Sequence, residues 1–308
     1  MTTKAPPGRR TPKGESMITR RKALYLLGSI PAAAVATKIG IGFSTTDPRT
    51  PPLAPGTPTS PERLALIETF KKQSDGLEKK FEARTYKSDW EMPYRLFRPE
   101  PSGKLPLVVY LHGSGGQGDD NLKQLGSGNI FGTRVWLLPE NQKRFPCYVL
   151  APQSNRGWVK YDFEQQPAKM LPGFGDGNRL ATEIIDSLCK EFPIDDRRIY
   201  ITGQSMGGGG TWNMLANRLK LFAAAVPVCG SITTDDGTGA IDTPVWAFHG
   251  DADKTVPVAT SRDRIAARRK AGGQPLYTEY AGVDHNVWEW VYTEPELVKW
   301  MFAQHRTK

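Results

Sequence analysis

The sequence predicts an α/β protein built on a doubly wound, mostly parallel sheet with helices on both faces. Three observations lead there. From about residue 105 to the C-terminus, short runs of β-forming residues alternate with segments of helical periodicity, the pattern of successive strand-helix crossovers. Several of those runs are apolar throughout, Leu107-Val108-Val109-Tyr110-Leu111 most clearly, as a strand covered on both faces requires. Finally, Ile199-Tyr200-Ile201-Thr202 passes through Gly203-Gln204-Ser205-Met206-Gly207 directly into a helical pattern carrying Trp212, Met214 and Leu215. This is a strand-turn-helix with a serine at its apex.

The 308 residues begin with a segment that does not belong to that pattern. Met17-Ile18-Thr19-Arg20-Arg21-Lys22 precedes an apolar run, Leu24 to Ala36, which ends on Ala34-Val35-Ala36. A charged start with paired arginines, a short apolar stretch and a small-residue end describe an export signal of the twin-arginine type. Residues 1–44 are therefore expected to address the chain to the twin-arginine export machinery, with Met17 an alternative start to Met1, and the mature protein to lie in the periplasm or outside the cell. The run falls short of the ~20 apolar residues of a spanning helix and Pro31 interrupts it, so no stable membrane span is expected in the mature form. Residues 45–60 are proline-rich and read as an extended linker, and 61–308 as the folded domain.

Within that domain Pro61-Glu62 resembles a helix start, with Leu64, Leu66, Ile67 and Phe70 as its apolar face. Residues 81–86 and 94–98 alternate as paired strands joined by a turn over 88–93, expected at an antiparallel edge. The run 107–111 ends in the glycine-rich stretch His112-Gly113-Ser114-Gly115-Gly116-Gln117-Gly118. Strands follow at 147–151, 199–202, 222–228, 245–248 and 276–280, and helices at 177–192, 259–270 and from Pro295 onward. In sheets of this kind the chemistry collects at the carboxyl ends of the strands.

Each candidate residue falls at such an end. Ser205 sits in a G-x-S-x-G turn, which holds its hydroxyl clear of the chain at a helix N-terminus that favours negative charge. An acid-bearing loop, His249-Gly250-Asp251-Ala252-Asp253, follows the strand at 245–248, and Asp284-His285 follows the last strand. Nucleophile, acid and base thus occur in the order Ser, Asp, His, with His285 the base once Ser205 is the nucleophile. Asp251, Asp253 and Asp284 compete for the acid, and spacing does not choose among them. The oxyanion donors are expected to be the N–H of Met206, next after the nucleophile, and one from the glycine-rich loop, Ser114 or Gly115. That loop lacks the G-K-[ST] ending of a phosphate cradle, and Asp119-Asp120 would repel an anion. Trp158, Trp288 and Trp290 are candidates for lining a substrate subsite.

The residues L-H-G-S-G-G, A-P-Q, G-Q-S-M-G-G, H-G-D-A-D-K-T-V-P and D-H-N-V-W, the last followed by T-E-P-E-L-V-K-W-M-F, resemble the α/β-hydrolase superfamily. They are most similar to its phospholipase/carboxylesterase-like and dienelactone-hydrolase-like "predicted peptidase" esterases, neighbours of the polyhydroxybutyrate depolymerase and feruloyl esterase families. The resemblance spans about residues 90–305 and implies the α/β-hydrolase fold and a serine hydrolase of carboxylic esters that needs no cofactor. It also implies Asp253, the Asp of D-x-x-V-P, as the acid, and Ser114, after the H-G pair, as the second oxyanion donor. A serine peptidase of the prolyl-oligopeptidase-like type, or a silent binding protein on the same fold, are the competing expectations.

Composition removes other classes. The net charge is +9, but residues 1–50 hold nine Lys or Arg against two acids, leaving +2 for the rest, so the folded part makes no electrostatic case for nucleic acid. The expected partner is an ester, small or attached to polysaccharide. The four histidines, His112, His249, His285 and His305, show no metal-ligand spacing. Cys147, Cys189 and Cys229 sit in apolar or helical runs and read as buried free thiols, with one disulfide plus a leftover thiol as the alternative in an oxidising compartment.

Overall fold

In the computed structural model the central element is an eight-stranded sheet of order β1-β2-β4-β3-β7-β8-β9-β10. Its strands are β1 (Glu82–Lys87), β2 (Glu91–Phe97), β3 (Leu105–Leu111), β4 (Tyr148–Pro152), β7 (Ile194–Gln204), β8 (Ala224–Val228), β9 (Trp246–Gly250) and β10 (Leu276–Tyr280). The strands β5 (Val159–Asp162) and β6 (Lys169–Phe174) form a separate antiparallel pair. The structure describes residues 49, 51, 53–54, 56–100, 103–162, 164, 169–230 and 240–306. The expected export signal and most of the linker ahead of residue 56 lie outside them.

The ladder of β3 explains the layering. Leu107, Val109 and Leu111 join one core with Leu180, Ile184, Ile185 and Leu188 of α4 (Asp176–Glu191), Trp212, Met214 and Leu215 of α5 (Met206–Asn217), and Ile265 of α6 (Ala259–Lys270). Val108 and Tyr110, pointing the other way, join a second core. Its helices are α1 (Pro61–Ser74), α2 (Asn129–Arg134), α7 (Trp288–Val291) and α8 (Pro295–Phe302). A strand with helices on both faces has no polar side to spare, which is why this run is apolar at every position.

β1, β2 and β4 pair antiparallel and the rest of the main sheet is parallel, the arrangement expected of the early strands as an edge. β2 begins at Glu91, inside the stretch expected as a turn. Pro93 is accommodated because pairing with β4 starts only at Tyr94. Two further differences from expectation have local causes. On α1 the buried face is Arg63, Ile67, Phe70 and Ser74, whereas Leu64 is exposed. The Arg63 guanidinium finds Glu294 at 2.6 Å, and a charge that is paired and hydrogen-bonded can be enclosed. Between β3 and β4 the chain inserts α2 and α3 (Pro139–Arg144), too short to show periodicity. No described helix is long and apolar enough to cross a membrane.

Candidate active site

Ser205 closes β7 and opens α5 with φ 53° and ψ −119°, a conformation sparsely populated by any residue with a side chain. The neighbouring glycines make it possible. A methyl group on Gly207 would lie 1.9 Å from the Leu111 carbonyl oxygen, and one on Gly203 would lie 2.5 Å from that of Gly207. The turn is thus pressed against the end of β3 by contacts that admit no Cβ. The Ser205 N–H donates to Val228 O at 2.9 Å, tying the elbow to β8.

Three loops bring a hydrogen-bonded chain to this point. His285 Nε2 is 2.8 Å from Ser205 Oγ, and His285 Nδ1 is 2.7 Å from Asp253 Oδ2. The Asp253 side chain is fully buried and that of His285 is 18% exposed, so solvent reaches the imidazole and not the carboxylate. Asp253 Oδ1 accepts the N–H groups of Thr255 and Val256, both at 2.8 Å. The competing acids have other work: Asp251 Oδ1 accepts from Gly282 N, and Asp284 Oδ1 accepts from Lys254 N and His285 N. Both sew the loops after β9 and β10 together, leaving Asp253 as the carboxylate that meets the imidazole.

The glycine-rich loop lies against the elbow: a methyl group on Gly113 would be 3.7 Å from Ser205 Cβ. Met206 is the first residue of α5, where a helical N–H has no acceptor within the helix. The orientation of the Ser114 N–H follows from its peptide partner. Gly113 O is 2.8 Å from His112 Nδ1 and accepts from Gly116 N at 2.8 Å, and in a trans peptide the adjoining N–H points the opposite way. His112 Nε2 accepts from Ser154 N at 3.0 Å, so the ring proton sits on Nδ1 and donates to Gly113 O. Burial pushes the His112 imidazole down to about 4, which keeps it neutral at ordinary pH. From the other side, Asn129 Oδ1, on α2, accepts the Gly113 N–H at 3.0 Å.

The tryptophans divide. Trp288 stands edge-on to the His285 ring, centroids 5.4 Å apart, beside the entrance to the imidazole. Trp158 corrects the expectation that it lines a subsite. It is wholly enclosed, and its Nε1–H donates to the His112 carbonyl at 2.8 Å, so it supports the glycine-rich loop from beneath. Trp290 donates to Pro58 O and anchors the chain entering α1. Among the described residues, Cys229, Asp253 and His285 form the group of metal-capable side chains with ligand atoms within 4.8 Å of one another. The Asp253 and His285 atoms are bonded to each other, and burial pushes the Cys229 thiol well above its ordinary range, so the cluster is a poor metal site. All three cysteines are free thiols.

His112, Asn129 and His249 are the residues of this site to which the sequence reading gave no role. The signal available was that both histidines open an H-G pair directly after a buried strand.

A mostly parallel sheet whose strand-to-helix elbow carries a serine beside a histidine defines the α/β-hydrolase fold class. The chain belongs to the phospholipase/carboxylesterase family, whose model matches residues 100–292. It is similar to a solved structure described as a thermostable esterase, with 38% identity and a TM-score of 0.69 over 74% of this chain and 64% of that one. It is also 24% identical over 231 residues to poly(3-hydroxyalkanoate) depolymerase C of Paucimonas lemoignei, covering 62% of this chain and 49% of that protein. A bifunctional acetylxylan esterase/xylanase, XynS20E of Neocallimastix patriciarum, is 26% identical over 148 residues, 48% of this chain and 19% of its own length. The chain therefore spans less than half the length of each of these two curated relatives.

Proposed function

We propose that this hydrolase is an exported serine esterase that works through an acyl-enzyme, with Ser205 as nucleophile, His285 as base and Asp253 as the acid that orients it. The observation that carries the reading is the pair of contacts on one imidazole, 2.8 Å to Ser205 Oγ and 2.7 Å to Asp253 Oδ2. Ser205 Oγ attacks the ester carbonyl carbon as its proton passes to His285 Nε2, while Asp253 accepts from Nδ1–H and holds the productive tautomer. The oxyanion takes hydrogen bonds from the N–H groups of Met206 and Ser114. Collapse breaks the carbon–oxygen bond to the alcohol, which leaves with the proton from Nε2. Water then attacks the acyl-enzyme, giving its proton to Nε2, and the carboxylic acid departs as Ser205 recovers its hydrogen.

The substrate is a carboxylic ester, small or attached to a polysaccharide. The acetylxylan esterase among the relatives supports the second form, and Trp288, beside the imidazole, is the aromatic surface an acyl or sugar group would meet. Export by the twin-arginine route rests on Arg20-Arg21 and the apolar run that follows.

A fluorophosphonate probe is expected to label the wild-type protein and not Ser205→Ala; equal labelling of both would remove the serine mechanism. Release of p-nitrophenol from short acyl esters, without cleavage of peptide anilides, separates esterase from peptidase. A reporter fused to residues 1–60 should lose export when Arg20 and Arg21 become lysine.

A further inference from the structure

His249 is the penultimate residue of β9 and is completely enclosed, with no water-facing role. Its ring nitrogens nevertheless have three polar neighbours. Nδ1 is 2.7 Å from Ser261 Oγ of α6, and Nε2 is 3.0 Å from the Val256 carbonyl and 3.2 Å from Asp253 Oδ2. A carbonyl and a carboxylate only accept, so in the neutral ring the proton lies on Nε2, which donates to the Val256 carbonyl with the Asp253 oxygen beside it. Nδ1 is then the acceptor, and the Ser261 hydroxyl donates to it. Burial pushes the imidazole below the ordinary histidine range, which favours this neutral form.

We propose that His249 is a positioning residue for ester hydrolysis, its Nε2–H holding the Asp253 oxygen that pairs with His285 while α6 anchors the ring through Ser261. The inference rests on the Ser205-His285-Asp253 reading and deepens it. The backbone amides of Thr255 and Val256 hold Asp253 Oδ1 alone, which leaves the carboxylate a pivot about that atom. Oδ2 is approached by two imidazoles, the partly exposed His285 at 2.7 Å and the enclosed His249 at 3.2 Å. The enclosed one also grips the Val256 carbonyl, whose residue supplies an amide to Oδ1, so the ring lies against both the Asp253 carboxylate and the segment that holds it. Other charged groups near the ring are themselves paired: Glu279, its register partner on β10, is held by Arg262 and Tyr277. Misplacement of an orienting group by an ångström lowers turnover without changing how substrate binds.

The test compares His249→Phe, which keeps a flat ring without donors, His249→Gln, which restores one donor and one acceptor, and Ser261→Ala. With p-nitrophenyl acetate, His249→Phe is expected to lower kcat about 10- to 100-fold with KM unchanged, and the fluorophosphonate labelling rate of Ser205 to fall in step. His249→Gln should recover most of that loss, and Ser261→Ala should lower kcat by a smaller factor, again at constant KM. Wild-type kcat and labelling rate in a folded His249→Phe protein would overturn the proposal, as would failure of glutamine to rescue. Should His249→Phe not fold, Ser261→Ala decides, and an unchanged kcat there overturns it. Hydrolysis by Ser205→Ala at the wild-type rate would instead overturn the parent mechanism, whatever the His249 variants do.

Discussion

A histidine-glycine pair marks the carboxyl end of both β3 and β9, just after the first strand and as the last two residues of the second, and the loops that follow are built in opposite ways. The loop over 113–118 offers its main chain to the site, and is held by side chains from elsewhere: Asn129 on Gly113 N, Gln153 on Gly116 O at 3.1 Å, and Trp158 under the His112 carbonyl. The loop over 251–257 offers a carboxylate and is held by carboxylates, Asp253 on its own amides, Asp251 across to the adjoining loop and Asp284 back from it. The difference has a simple cause. A backbone that must approach a substrate carbonyl carries glycines, and glycines have no side chains with which to brace a turn. A loop that presents a side chain can use further side chains of the same kind to stay in place.

The largest expected effect breaks the second loop at the atom it presents. Asp253→Asn should lower kcat about 10⁴-fold, because an amide can hold the imidazole in the wrong tautomer, whereas Asp251→Asn should cost far less. Single-turnover and steady-state assays on a short acyl ester measure both, and similar losses in the two would erase the distinction between presented and bracing acids. The first loop breaks from outside. Asn129→Leu leaves the Gly113 N–H without its acceptor and should lower kcat by up to about 10²-fold, with little change in the thermal midpoint relative to an equivalent core substitution.

Acid sharpens the comparison, since His112 belongs to the braced loop and is neutral when folded. Its folded value, about 4, lies below the ordinary histidine value, so the unfolded chain binds the extra proton first. The stability it contributes is complete above the unfolded value and is lost as pH falls toward the folded one, by roughly 2–3 kcal/mol at pH 4.5. Urea titrations at pH 7 and pH 4.5 should show His112→Gln losing less stability on acidification than wild type; an equal loss would contradict it. The smallest effect is that of Trp158→Phe, which removes one donor from beneath the loop. It should cost about 1 kcal/mol of stability and leave KM for small esters unchanged, and a raised KM would restore Trp158 as a substrate contact.

Much of this was legible in the chain. The apolar run at 107–111 and the helix periodicity at 177–192 are burial patterns, and burial pattern is what a sequence records most directly. The helix over 259–270 and the strand over 276–280 lie where the sequence pattern places them. Ser205 was legible because the turn that presents it requires glycines at fixed offsets, and His285 because few histidines follow. The burial of Arg63 was not legible, since its partner Glu294 is 231 residues away. The β5–β6 pair was also missed: its strands are short, and Lys169-Met170-Leu171-Pro172 carries no alternation a strand search would catch.

By itself, then, the sequence determined the sheet's layering, the strand-to-helix serine and the chain order Ser, Asp, His at successive strand ends, because each is written in local pattern or in order along the chain. Only the tertiary structure decided which of three aspartates meets the imidazole, that Trp158 is a support, and that two enclosed histidines brace the loops on either side. Those roles are set by distances between loops from different strands, and hydrogen bonds reach across space over a few ångströms without leaving any periodic trace in the chain.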